Sequence, residues 1–556
     1  MGKARSLYKA FSSNLEMPKP DGNKKVKLYN RFGMIAFIGI MVPISVIVGY
    51  ITYVLTDLMF VFGGNSYGLL SELDLISAFA MIFGLPLMFS VLFFSSDLKF
   101  LTALPVRPTT LYSARFWHTF KAENVMTSNV LFAIYIGYFI AGIKHCGVAE
   151  ALHPIALIAS VTGFFGSLLM PLVYSSIIAM LLMLVLRKCK RSSVYYNSSL
   201  ILFIAFALLF LLSFRSYGKI NVSNFISSLV GKENTFTTIC NILFPTNYLT
   251  TLSVVNHSVF PLIASVVILT AQYLLSLLLA KLTYQRGLFA AAIISDKKTS
   301  RRSASSYTSR KIFNALLIKE IKVLTRTMTY RTNCVYANIL WPVAAVIVAV
   351  ETPKIEFFKK IRFGLQNGDS RSNVILFIVF IAMAFIASGL NSIASTSFTR
   401  EGVHIDMLKY LPAPLEKQIS AKLVTAVLFS FIPEMLAVIL ITVCLGKITL
   451  LPLYIFVSFV CVLTATIIGI LMDSVSPYTV WSDELSALRG NLNCFFNLAA
   501  EMLAALLIGG ICYGLYLLSS SHVIAIATVT VILTGACIVC VLAGLPRVKK
   551  NIQSLS

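Results

Sequence analysis

The sequence predicts an all-α, polytopic membrane protein with about twelve membrane-spanning helices in two six-helix halves. Three observations carry this expectation. Hydrophobic residues make up 58% of the 556-residue chain and charged residues only 12%, with mean hydropathy +0.85; a soluble domain carries about twice that charge. The apolar residues gather into runs of about twenty, the length that crosses a bilayer. A proline-marked polar element also occurs twice, each time between two apolar runs. Its copies are Leu101-Thr-Ala-Leu104-Pro105-Val-Arg107-Pro108 through Ser113-Ala114-Arg115, and Leu408-Lys-Tyr-Leu411-Pro412-Ala-Pro414 through Ser420-Ala421-Lys422. At an offset of 307 the Leu, Leu-Pro and Ser-Ala-base positions coincide. Repetition at equivalent places implies two like halves that share a working part.

Taken in order, residues 1–33 carry eight Lys/Arg and form a basic cytoplasmic N-terminus, with an interfacial helix expected from Lys24 to Tyr29. The first apolar run, Met34–Leu55, is longer than a cleavable leader core, so it is expected to stay as the first span. The first half, 34–286, has spans expected at 34–55, 76–95, 125–143, 155–186, 198–214 and 259–281. The run 155–186 is long and interrupted by Gly163, Gly166 and Pro171, and 198–214 is short. Between the last two, Asn241–Leu249 is amphipathic and contains Pro245, which suggests a re-entrant or surface helix capping the outer side. Residues 287–333 form a cytoplasmic linker rich in Ser, Lys and Arg, then an amphipathic helix over Asn314–Arg326. There Leu316, Leu317, Ile321 and Leu324 share a face, and Lys319, Lys322 and Arg326 lie between them; such a helix rests on the membrane surface. The second half, 334–546, has spans expected at 335–350, 374–396, 423–445, 452–472, 495–518 and 523–545, and 547–556 is a cytoplasmic tail.

Charge tests this topology independently. With the N-terminus inside, 36 of the 46 Lys/Arg fall on the inner side and 10 on the outer, the bias that membrane insertion imposes. Both termini are therefore expected in the cytoplasm of a cell-membrane protein. The net charge of +24 is explained by inner loops and needs no nucleic acid. One outer loop, Pro353–Asn373, runs against the trend with five basic residues.

The chain shows no GxxxxGK[ST] phosphate loop and no HExxH, so neither ATP-phosphate binding nor zinc-protease chemistry is expected on it. Its six histidines form no metal-spaced cluster. Cys537 and Cys540 have CxxC spacing but sit in an apolar run and read as packing, so no metal site is expected.

The repeated element carries the functional expectation. Its prolines break the exit from one helix and set the start of the next, and Arg107, Arg115, Lys409, Lys417 and Lys422 alternate with apolar positions. An element of this kind docks on a soluble partner. With its lead-in Thr399-Arg400-Glu401-Gly402, and less closely Ser95-Ser96-Asp97, it resembles the coupling helix of ABC-2-type exporter permeases. A second block resembles a cytoplasmic signature of the larger bacterial members of that family: Asp473, Pro477, Trp481, Glu484, Asn491 and Asn493. The resemblance covers most of the chain by topology, while its sharp motifs cover a small part. It implies a non-catalytic permease subunit of an exporter; the aromatic-rich apolar composition, with 40 Phe and 23 Tyr, suits a peptide or amphipathic lipid-like cargo better than an ion. No cofactor is expected on this chain; ATP and Mg2+ would reside on a separate ABC ATPase, two copies per permease, with a permease dimer as the alternative stoichiometry. It also implies that Asp97, Leu101, Leu104, Pro105, Arg107, Arg115, Glu401, Gly402, Leu408, Leu411, Pro412 and Lys422 form the coupling elements, and that ATP-driven closure of the ATPases draws those elements together to open a path outward.

Two acids fall inside apolar runs. Glu434 follows Pro433 near the middle of its segment and is a candidate for the substrate path. Glu501 lies within two turns of the start of its own and is expected at the interface. A secondary transporter driven by an ion gradient, with Glu434 as coupling site, is the competing class; a membrane-embedded enzyme is disfavoured because no convergent catalytic residues are visible.

Overall fold

The computed structural model describes residues 48–61, 65–93, 105–185, 235–296, 311–351, 362–479 and nearly all of 481–554, with isolated residues elsewhere. Among the described residues every regular element is helical. The chain divides into two compact units, one within Met41–Arg302 and one within Ser303–Ser556.

The first unit contains α1 (Val48–Val61), α2 (Asn65–Phe93), α3 (Pro108–Cys146), α4 (Pro154–Val185), α5 (Pro245–Asn256) and α6 (Val259–Leu279). Helix α6 continues through a π-turn, Ala280–Tyr284, into Gln285–Asp296. Helix α3 starts where Pro108 supplies a fixed φ after extended Arg107. Helix α4 runs unbroken through Pro171, contrary to the expected interruption. Pro171 has no N–H to give the Ser167 carbonyl, and that oxygen accepts from Ser77 Oγ of α2 at 3.5 Å, so the neighbouring helix helps to hold the turn that the proline weakens.

The second unit contains α7 (Ile312–Arg326), α8 (Leu340–Glu351), α9 (Ser370–Leu390), α10 (Leu415–Leu445), α11 (Leu451–Val475), α12 (Leu492–Ser519) and α13 (His522–Val539). Helix α13 also passes through a π-turn, Cys540–Gly544, into Leu545–Ser554. Asp369 caps α9 by accepting from Arg371 N and Ser372 N, and Asn491 caps α12 by accepting from Asn493 N. Phe377, Phe380 and Phe385 of α9 are fully buried against Val457 and Cys461 of α11 and Ala505 and Cys512 of α12.

Nine helices among the described residues are long and apolar enough to cross a membrane: Gly68–Phe93, Thr127–Cys146, Pro154–Leu184, Val259–Ala291, Ser370–Leu390, Leu415–Leu445, Ile448–Val475, Leu492–Ser519 and His522–Ser554. Their outward faces are apolar, with Phe260 83% exposed and Leu518 87%, while Asn247, Ser167 and Asp74 are buried. An exterior of that kind suits lipid rather than water. The chain is an all-helical membrane protein.

Two further expected segments meet shorter apolar helices, Val48–Val61 and Asn333–Val346. The second is shortened because a π-turn and a 3-10 turn occupy Arg331–Ile339 before α8 begins. The segment 198–214 and the interfacial helix expected at Lys24–Tyr29 lie outside the described residues.

Candidate functional site

In the second unit α9 and α11 finish, and α10 and α12 begin, at one end, here called the loop end. The chain between α9 and α10, residues 391–414, has little regular structure, yet most of 391–402 is buried. Buried irregular backbone must find partners for its polar groups, and two side-chain hubs provide them.

The first hub is Asp473, in the last turn of α11 and fully buried. Its carboxylate accepts from Phe398 N at 2.6 Å, Thr399 N at 3.0 Å, Thr399 Oγ1 at 2.6 Å and Asn493 Nδ2 at 3.0 Å. Asn491 Nδ2 and Tyr478 N also donate to Thr399 Oγ1, and Trp481 Nε1 donates to Thr399 O at 2.9 Å. The Trp481 ring covers Gly402, whose φ of +59° is the left-handed geometry that glycine tolerates. A Cβ at Gly402 would lie 2.9 Å from the ring.

The second hub is Lys422, in the second turn of α10, with its side chain 2% exposed. Its ammonium donates to Glu401 Oε1 at 2.6 Å, Glu320 Oε1 at 2.9 Å and Ser397 O at 2.9 Å, using all three of its hydrogens. Lys319 also reaches Glu401 at 2.6 Å. Arg400 Nη1 donates to Ile393 O and Thr396 Oγ1, each at 2.7 Å, and its Nη2 lies 4.0 Å from Glu320. Burial alone would raise the Glu401 carboxyl, but Lys422 and Lys319 outweigh it and hold the group down at about 2. Glu320 places the amphipathic helix α7 in this network, packed on α10.

Beyond the hubs the loop turns outward. Gln418 of α10 donates to Leu408 O and Ala413 O and so fixes the Leu-Pro-Ala-Pro turn. Leu408 and Ile405 point inward, whereas Val403 (68%), Met407 (62%), Tyr410 (84%) and Leu411 (43%) are exposed, with His404, Asp406 and Lys409 exposed between them. The loop end thus presents apolar side chains on a backbone held by α7, α10, α11 and α12.

The residues singled out from sequence fall into distinct places. Asp473, Trp481, Asn491, Asn493, Glu401, Gly402 and Lys422 come together in one cluster, although two separate motifs supplied them. Pro477 is half-buried on the chain between Asp473 and Trp481, and Glu484 takes part in none of these bonds. Leu408 and Lys422 are buried and position the loop, while Leu411 and Pro412 are exposed. In the first copy Pro105 and Arg107 are exposed before α3. Arg115 is buried and donates to Val91 O at 2.6 Å and Leu92 O at 3.0 Å, near the end of α2. Lys422 reaches back to Ser397 O in the same manner. Asp97, Leu101 and Leu104 lie outside the described residues. Glu434 is fully buried within α10, and neither carboxylate oxygen has a hydrogen-bond partner.

Three features stand out only in the structure. Glu320 is 4% exposed and paired with Lys422. Glu501, expected near the membrane interface, is 1% exposed and enclosed among the helices of the second unit. Helix α5, in the stretch expected to be re-entrant or to lie on the surface, turns its polar stripe inward: Thr246, Asn247, Thr250, Thr251 and Ser253 are all buried. Asn247 donates to Asp74 and Ser77 of α2 and accepts from Ser167 of α4, each at 3.0 Å. The signal was present in the helical spacing of those five residues. One further motif, Gly64-Asn-Ser66-Tyr-Gly68, has nucleophile-elbow spacing, but that device needs a strand-to-helix turn and no strand occurs among the described residues.

Comparisons with protein-family models, curated proteins and solved structures found no match.

Proposed function

We propose that this chain is the membrane subunit of an ATP-driven exporter, with twelve spans in two halves and both termini in the cytoplasm. The ATPase is a separate chain that docks on the loop end. The observation that carries this reading is an exposed apolar patch, Val403, Met407, Tyr410 and Leu411, on a loop whose base is locked to four helices. A partner that pushes this patch moves α7, α10, α11 and α12 together, because Asp473 and Lys422 leave the loop base no independent play. The resemblance to ABC-2 coupling helices and the Lys/Arg bias support the same reading, with one ATPase for each copy of the element. A shallow apolar groove open to the exterior, lined by Phe431 of α10 and Leu451, Ile455, Phe456 and Phe459 of α11, is compatible with an acyl chain or apolar peptide.

The test is co-purification of the tagged full chain from its native membranes, scored for a bound chain that carries a Walker A loop, comparing wild type with Met407→Asp/Tyr410→Asp. Both side chains are exposed, so the double variant is expected to fold. Retention by wild type and release by the variant support the reading. No ATPase on wild type, or equal retention by both, overturns it. The specific observation favouring the second reading, an ion-driven transporter, is the partnerless carboxylate of Glu434, and Glu434→Gln then becomes the decisive variant.

A further inference from the structure

Away from the Asp473 hub, α12 carries Asn493, Asn497 and Glu501 at four-residue intervals, stacked on one face about 6 Å apart. All three are at most 1% exposed. Asn493 belongs to the Asp473 hub. The other two differ: beyond the contact they make with each other, neither the amide of Asn497 nor the carboxyl of Glu501 has a hydrogen-bond partner. Their neighbours are shaped to admit them. A Cβ at Gly389, in the last turn of α9, would collide with Glu501 Oε2, and one at Gly469 of α11 would lie 3.0 Å from Asn497 Oδ1. The Ser388 hydroxyl is buried and partnerless as well.

Among the described residues no countercharge stands beside Glu501. Helix α9 carries Arg371 at its far end, and α11 carries Asp473 at the loop end. Helix α12 has no other acid or base beyond Cys494, Cys512 and two tyrosines, and α13 has only Cys537 and Cys540 between His522 and Arg547. Helix α10, packed on α9, has Glu416, Lys417 and Lys422 near the loop end and the equally partnerless Glu434. A carboxylate in such an interior is stable only when neutralised. Backbone at Gly389 fills the space beside Glu501, and an alkali ion would need several further oxygen ligands.

We infer that Glu501 is a proton-binding site, reached from the loop end along the Asn493–Asn497 ladder, whose occupancy is linked to the loop that follows α9. Releasing the proton requires water or a cation to enter between α9 and α12 beside Gly389. That displaces the last turn of α9, and Asn391 to Thr399 follow directly. The inference stands whether or not an ATPase docks on the loop.

The experiment uses the full-length chain in lipid nanodiscs and infrared difference spectroscopy of the protonated-carboxyl stretch as pH is raised. A band lost in Glu501→Gln, kept in Glu434→Gln and unchanged when sodium replaces choline supports the site. A band unaffected by Glu501→Gln, or abolished by sodium, overturns it. Should Glu501→Gln fail to fold, Asn497→Leu carries the test: cutting the ladder is expected to slow loss of the band after a pH jump about tenfold, and an unchanged rate overturns the route. Protease cleavage between Phe398 and Pro414 is read in parallel. It is expected to rise with pH in wild type but not in Glu501→Gln, and an equal rise in both refutes the linkage.

Discussion

Replacing Asp473 with alanine should release the loop end from the bundle. Four donors lose their acceptor: the N–H groups of Phe398 and Thr399, the Thr399 hydroxyl and the Asn493 amide. The hydroxyl and the amide are side-chain groups that can rotate, and Asn493 keeps its bond to Ser476 O. The two backbone N–H groups are fixed, and at about 2 kcal/mol for each buried donor left unpaired the loss is about 4 kcal/mol. That corresponds to about a thousandfold rise in the open population of the loop, which protease cleavage follows when opening is fast. The assay is limited proteolysis of the detergent-solubilised protein, scored for cuts between Phe398 and Pro414. Asp473→Asn keeps one oxygen for the two N–H groups and should cost far less, about 1–2 kcal/mol. A less than tenfold change for Asp473→Ala, or equal effects of the two variants, would refute the view that this carboxylate holds the loop.

Lys422→Met should destabilise the second unit by about 3–5 kcal/mol, because Glu320 and Glu401 lose the ammonium that lies between them. Adding Glu320→Gln and Glu401→Gln should recover most of that loss in a thermal melt, and no recovery would show that Lys422 acts through packing alone. The loop should also loosen in acid. Glu401 is held below its ordinary value of 4.5, at about 2, so its contribution of about 3 kcal/mol is complete above pH 4.5 and is lost as pH falls towards 2. Cleavage of the loop should therefore rise across that window in wild type and stay flat in Glu401→Gln.

Much of this architecture was legible in the chain because membrane spans announce themselves by length and apolarity. The same logic located the Leu-Pro turn and the Asp473 block but gave no hint that they touch, since hydrogen bonds across 75 residues leave no local pattern. Glu320 was hidden by its setting: on an amphipathic helix an acid among lysines reads as a solvated face, and only the approach of Lys422 from α10 makes it a buried partner. Leu408 and Leu411 look equivalent in sequence. A single helical turn over Met407–Tyr410 sends the first into the core and leaves the second outside. That Glu501 would be enclosed was not legible, because burial in a bundle depends on neighbouring helices, here the glycine of α9 that makes room for it.

The π-turns near the ends of α6 and α13 have a consequence for chain length. A π-turn holds one extra residue, and one residue corresponds to about 100° of rotation around a helix. In α13 this sets the phase of the terminal segment, so that Val548 and Ile552 face inward while Arg547 and Lys550 face out. The inward placement lets Asn551 reach Ser474 of α11 at 3.0 Å, beside Asp473. Deleting one residue from Cys540–Gly544 would leave composition and hydropathy almost unchanged, yet it would rotate the tail by more than a quarter turn. The length of the helix, independent of any side chain in it, thereby acts as a dial that aims the C-terminus at the loop.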